Sequence, residues 1–159
     1  MTNATTQAKS NLPWLLIICG CLIAMMTFGG RSTMGFFQLP MIEMRGWSRT
    51  DFALAIAIQN LFWGAGQPFF GMISDKYGTW RVMALGGVLY ALGFYLMSIA
   101  ESVWLLHLSG GVLIGLGIAA GSFSLVMAAF ARNVPADKRT IVFGIGTAAG
   151  SAGMAFFSP

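Results

Sequence analysis

Gly71-Met-Ile-Ser-Asp75-Lys76-Tyr-Gly78-Thr-Trp-Arg81 is a short polar bridge between two uncharged stretches, 52–74 before it and 82–100 after it. Each stretch is close to the roughly 20 residues that cross about 30 Å of hydrocarbon at about 1.5 Å per residue. So short a bridge makes the two helices antiparallel, and Gly78 is suited to the positive φ of a sharp reversal. Asp75 stands at the end of the first helix, with Lys76 and Arg81 near enough to pair with it. A carboxylate there also suits a neighbouring helix N-terminus, at about 0.3–2 kcal/mol. Read only as a solvated loop, the segment simply carries basic charge on one side of a membrane.

The same pattern extends outward in both directions. Residues 10–30 and 140–159 carry no charge, and 102–131 hold only His107. Five transmembrane helices are predicted at about 13–39, 52–74, 82–100, 103–131 and 140–159, an all-α membrane protein. Composition agrees: 159 residues, 57% apolar, 9% charged, mean hydropathy +0.75. An average soluble domain is about a quarter charged, so an ordinary soluble enzyme and a disordered chain are both excluded. The first run is longer than a signal-peptide core, with Lys9 the one charge before it. The runs are too long, and lack the period-two alternation, for barrel strands. Residues 1–11 are polar and read as a disordered cytoplasmic tail, and 12–159 as the helical bundle.

Short connections make each helix antiparallel to the next. Lys9, Lys76, Arg81, Arg132, Lys138 and Arg139 then fall on one side, six against two for Arg45 and Arg49. Positive-inside places the N-terminus in the cytoplasm of a multi-pass protein. Trp14, Trp47, Trp80 and Trp104 sit near helix ends, where interfacial aromatics belong. The net charge of +4 is dispersed along the chain, so no nucleic-acid footprint is expected.

Gly111/Gly115, Gly117/Gly121 and Gly146/Gly150 are GxxxG pairs, and Gly64 and Gly66 add small residues to the second helix. In lipid, such positions let backbones approach closely, which predicts a compact bundle whose helices slide or rock. Two G-x-G-x-x-A matches, at 115–120 and 144–149, lie inside helical runs and lack the preceding strand of a dinucleotide site. Cys19 and Cys21 point to different helix faces and read as small buried hydrophobes. One histidine and two such cysteines form no metal constellation, and neither metal nor cofactor is expected.

The 71–81 bridge, as G-x-x-x-D-[RK]-x-G-x-x-[RK] through Gly71, Asp75, Lys76, Gly78 and Arg81, resembles the signature loop of the major facilitator superfamily. Thr79 stands where a basic residue is common. Gly30-Arg31-Ser-Thr-Met-Gly35-Phe-Phe, Arg45-Gly-Trp47-Ser-Arg49 and Gln67-Pro68-Phe-Phe-Gly71 are similar to the bacterial monocarboxylate porter and oxalate/formate antiporter-like branch. The fourth helix lacks the arginine that many members carry near its start; His107 lies in that region. The resemblance spans about 12–159. It implies part of an N-terminal six-helix half, in a fold of twelve helices built from inverted three-helix repeats. The missing C-terminal half would be a partner within the same transporter and would supply much of the anion-binding charge. The implied setting is the bacterial cytoplasmic (inner) membrane.

Arg31 is the sharpest candidate for chemistry. A charge within an apolar run costs about 2.5–3.5 kcal/mol even on a mild scale, so it favours the bundle interior or a watery cavity. There it could hold a carboxylate by a two-pronged contact. Alternatively, lying roughly 25 Å of helix from Trp14, it snorkels to the far surface. Gln38, Asn60 and Gln67 are further substrate-binding candidates, with interhelical hydrogen bonding as the other reading. Gly71, Asp75, Lys76, Gly78 and Arg81 form a candidate conformational-gating loop. His107 is either a proton-coupling group or an interfacial residue. The expected function is secondary transport of a small organic anion, a monocarboxylate, by proton symport or anion exchange, with lipid as the surroundings. The alternative is a non-transporting membrane scaffold. No catalytic constellation is present, and no enzyme activity is expected.

Overall fold

The computed structural model describes residues 13–158. The N-terminal tail, with Lys9, lies outside the described residues. Among the described residues five long helices follow one another: α1 Trp14–Arg45, α2 Arg49–Tyr77, α3 Thr79–Ser98, α4 Val103–Asn133 and α5 Arg139–Phe157. Among the described residues there is no strand. Four of the helices are long and apolar enough to span a membrane. The other is α2, 29 residues long, whose apolar run is interrupted by Gln59, Asn60 and Gln67. The expected count of five spans is met in helix number but not in uniform apolarity, and the polar exception bears the candidate site.

Helix ends differ from expectation in instructive ways. The first helix does not stop at 39. It runs through Pro40 to Arg45 and closes on Gly46 at φ 66. Proline costs one backbone bond, which packing neighbours offset: Met41 and Ile42 beyond it pack on the buried Met34–Trp47–Phe52 cluster. Helix α2 begins at Arg49 because Ser48 and Asp51 form a capping box. The Asp51 N–H donates to Ser48 Oγ at 3.1 Å, and the Ser48 N–H to the Asp51 carboxylate at 2.9 Å. A single residue, Gly78 at φ 94, separates α2 from α3.

The fourth helix is not one regular α-helix. A first turn, Val103–Leu106, passes into a π-helical stretch, His107–Leu113, before α geometry resumes at Ile114–Ala120. Ser109 sits in this stretch with its hydroxyl donating to the Leu105 carbonyl, a local bond that competes with the regular ladder. At Ser122 the backbone is extended, and its Oγ caps the last segment, Phe123–Asn133, by accepting from the Leu125 N–H at 3.4 Å.

α4 is the central element. Of its most apolar stretch 56% is buried, against 22% for each of the other three apolar spans. Its two glycine pairs face opposite neighbours. A Cβ on Gly115 would lie 2.7 Å from the Gln59 carbonyl oxygen of α2, and one on Gly117 would lie 2.7 Å from the Tyr90 nitrogen of α3. α1 and α5 form a second tight crossing, where a Cβ on Gly153 would run into the Met25 carbonyl. Gly66 of α2 also packs closely, against Ala119, whereas Gly64 has open space around it. The buried interior lies toward the two ends: one cluster around Phe52, Leu106 and Ile114, the other around Ile17, Val126 and Phe130. Outward-facing Leu15, Ile18, Leu22, Val88 and Tyr95 are exposed, as lipid-facing side chains must be.

Three local expectations are corrected. Cys19 is exposed rather than buried, lining a groove of about 390 Å³ between α1, α3 and α4. Trp47 is not interfacial: it is 7% exposed and packs in the core, whereas Trp14, Trp80 and Trp104 remain exposed. Gly64 makes no close helix contact. In this chain, Gly115→Ala is therefore expected to destabilise by about 1–3 kcal/mol through overpacking. Gly64→Ala should be neutral or stabilising by up to about 1 kcal/mol through helix propensity. Melting in detergent measures both.

Candidate functional site

Arg31 lies on α1 among Gly29, Gly30 and two hydroxyl residues that bond back to their own helix. Ser32 Oγ donates to the Gly29 carbonyl and Thr33 Oγ1 to the Gly30 carbonyl, both at 2.7 Å. The Arg31 side chain is half-buried and crosses to α2. One Nη donates to Asn60 Oδ1 at 2.7 Å, and the guanidinium carbon lies 4.7 Å from the centroid of the Trp63 ring. Asn60 Nδ2 donates to the Ile56 carbonyl at 2.9 Å, which fixes the amide with its oxygen toward the arginine. No carboxylate pairs with Arg31 among the described residues. Its charge is met by a neutral amide and a π-face.

The other polar candidates are dispersed. Gln67 Oε1 accepts from Ser124 Oγ at 3.4 Å, tying α2 to the last segment of α4. Gln38 is half-buried, and no side-chain hydrogen bond joins it to the Arg31 cluster among the described residues. Gln59 is 1% exposed with its amide 3.3 Å from Met34 Sδ. His107 opens the π-helical stretch, Nε2 lies 3.0 Å from the Asp51 carbonyl oxygen, and its ring stands edge-on to Trp104. The histidine thus pins α4 to the first turn of α2.

At the Lys/Arg-rich end, Asp75 pairs with Arg132 of α4 at 2.9 Å, not with Lys76 or Arg81. Those two cations lie over the rings of Tyr77 and Trp80, at 5.3 and 5.4 Å. A second Arg132 nitrogen donates to Thr79 Oγ1 at 3.2 Å, and Ser74 Oγ donates to the same oxygen at 3.0 Å. Thr79, where the family pattern favours a base, thus joins α2, α3 and α4. Gly71 has open space around it. At the opposite end, Arg45 donates to the Ala100 carbonyl and, at 3.2 Å, to the Ser98 carbonyl. It caps the C-terminus of α3, where a cation is favourable.

Residues 16–159 match the family model of the Major Facilitator Superfamily. The chain belongs to this superfamily. It is 28% identical over 145 residues to the uncharacterized MFS-type transporter YhjX of Escherichia coli, covering 90% of this chain and 36% of that protein. It is 27% identical over 161 residues to monocarboxylate transporter 13 of Rattus norvegicus, covering 98% and 36%. It is 30% identical over 110 residues to the multidrug resistance protein MdtH of Proteus mirabilis, covering 65% and 25%. The chain therefore spans about a third or less of the length of these curated relatives. Membership makes it a multi-pass membrane protein of a transporter family.

Trp63 and Tyr90 were not singled out by sequence, and Arg45 and Arg132 were read only for their charge and, for Arg45, its place in a motif. Trp63 carried a signal: it alone among the five tryptophans lies mid-helix, three residues after Asn60, a spacing that shares a helix face. Arg132 reads in sequence only as one of several basic residues near a loop. Because Arg132 and Asp75 are 46% and 72% exposed, their pair is expected to contribute about 0.2–1 kcal/mol. A double-mutant cycle with Asp75→Asn and Arg132→Gln, read by thermal unfolding, should return a coupling in that range, and a value above about 2 kcal/mol would contradict it.

Proposed function

We propose that this chain forms part of a secondary transporter that moves a small organic anion, a monocarboxylate, by alternating access. The observation that carries the reading is the Arg31 charge, without a carboxylate partner among the described residues, half-buried in an apolar helix and faced by Asn60 and Trp63. A planar guanidinium with one edge engaged keeps further N–H donors for a carboxylate. The same charge disfavours a cationic substrate, such as many drugs are. Monocarboxylate transporter 13 among the relatives supports the substrate class; MdtH supports transport alone. Coupling is by proton symport or anion exchange, and the remaining charge for the anion comes from a second half.

Orientation follows from the charge asymmetry. Lys76, Arg81, Arg132, Lys138 and Arg139 lie toward the Asp75–Arg132 end, with Arg45 and Arg49 at the other. The basic end, and with it the N-terminus, faces the cytoplasm of a bacterial inner membrane. The test is saturable uptake of a labelled monocarboxylate into cells or vesicles holding the complete protein. Arg31→Gln should lower uptake efficiency about tenfold or more, the scale of a charge-assisted bond lost, and Arg31→Lys should keep part of it. Transport of cations or sugars with no carboxylate uptake would overturn the reading.

A further inference from the structure

We infer that Tyr90 of α3 is a positioning residue that sets the placement of Arg31, an inference that rests on the anion-site reading above. The Tyr90 hydroxyl donates to the Thr27 carbonyl at 3.2 Å. In an α-helix the residue-27 carbonyl is the acceptor for the backbone N–H of residue 31. Tyr90 therefore bonds the very oxygen that anchors the Arg31 backbone. The next carbonyls of the same turn are also doubly engaged, at Gly29 and Gly30 by Ser32 and Thr33. Bonds of this kind loosen and bend a helix, so the turn that carries Arg31 needs outside support to hold one geometry.

Tyr90 is packed at both its ends, the phenol against α1 and the backbone against α4. A Cβ on Gly30 would lie 2.5 Å from Tyr90 Oη, so only glycine admits the ring at this depth. Behind it, Gly117 of α4 packs on the Tyr90 backbone, where a Cβ would be 2.7 Å from the nitrogen. The opposite side of α4 packs on α2 at Gln59, next in the chain to the Asn60 that receives Arg31. Both supports of the arginine, its backbone anchor through Tyr90 and its side-chain acceptor Asn60, are thus referenced to one helix. A shift of α4 would move them together.

The test uses the complete protein with Trp63 as its sole tryptophan, because the Arg31 guanidinium lies over that ring. Tyr90→Phe removes the hydroxyl and keeps the packing. It should change the emission maximum of Trp63 and raise its quenching by acrylamide. In the Arg31→Gln background the same substitution should add nothing. Gly30→Ala, which displaces the phenol with Tyr90 intact, should reproduce the change. In uptake, Tyr90→Phe should raise KM for a monocarboxylate about 2- to 12-fold, more than it lowers Vmax. An unchanged Trp63 signal in Tyr90→Phe, or the same change with and without Arg31, would overturn the inference. Failure of the anion reading looks different: Arg31→Gln then leaves carboxylate uptake intact, whatever the fluorescence shows.

Discussion

At Gly115 and Gly117 the backbone of α4 lies against α2 on one side and α3 on the other, with no side chain between. Such contacts carry the packing that the hydrophobic effect cannot supply between helices already in lipid. They also set the distances across the bundle. Side chains as large as leucine at these positions would push α2 and α3 outward, and Tyr90 could no longer reach Thr27 while Asn60 met Arg31. The polar site is in this sense a consequence of glycine spacing on a helix that itself contributes no charged group to it.

The energetic sense of Arg31 follows from its surroundings. A guanidinium in an apolar helix must be paired, hydrated or satisfied by dipoles. Here it has an amide oxygen and an indole face, two partners that orient the cation without neutralising it. A carboxylate partner within the bundle would have stabilised the resting arrangement and competed with an incoming anion. On the proposed anion reading, Asn60 and Trp63 avoid that competition. Among the described residues α2 is accordingly the one long helix that falls short of the apolarity of a simple span, and of the three amides that lower its hydropathy Asn60 is the one that meets Arg31.

Much of this was legible in the chain. The 71–81 bridge, the uncharged runs and the loop charges lead directly to an antiparallel helical bundle. Arg31 and Asn60 stood out because polar groups are costly in apolar runs. The Asp75 partner was not legible, since Arg132 lies 57 residues away and the nearer cations satisfy the same chemistry on paper. The π-helical stretch of α4 was equally hidden, because a hydrophobic run reads alike whether its backbone bonds close over four residues or five. Tyr90 was lost among the aromatics of an apolar helix. Its role depends on which glycine lies opposite, and that depends on register between helices rather than on any local pattern. The end of the first helix was read too early, at 39: Pro40 lacks an N–H, yet packing beyond it keeps α1 intact to Arg45.

The two ends of the bundle are fastened with different strength. At one end Arg45 reaches the carbonyls of Ser98, the last residue of α3, and of Ala100 just beyond it, charge-assisted contacts with backbone of a kind worth about 1.5–3 kcal/mol. Nearby, the Ser48–Asp51 box fixes the start of α2, and the His107 contact joins it to α4. At the other end the link between α2 and α4 is the exposed Asp75–Arg132 pair, helped by Thr79, with the modest stability of an exposed ion pair. If the alternating-access proposal holds, this asymmetry makes the Asp75–Arg132 link the less costly of the two to open, because breaking it exchanges an exposed ion pair for water.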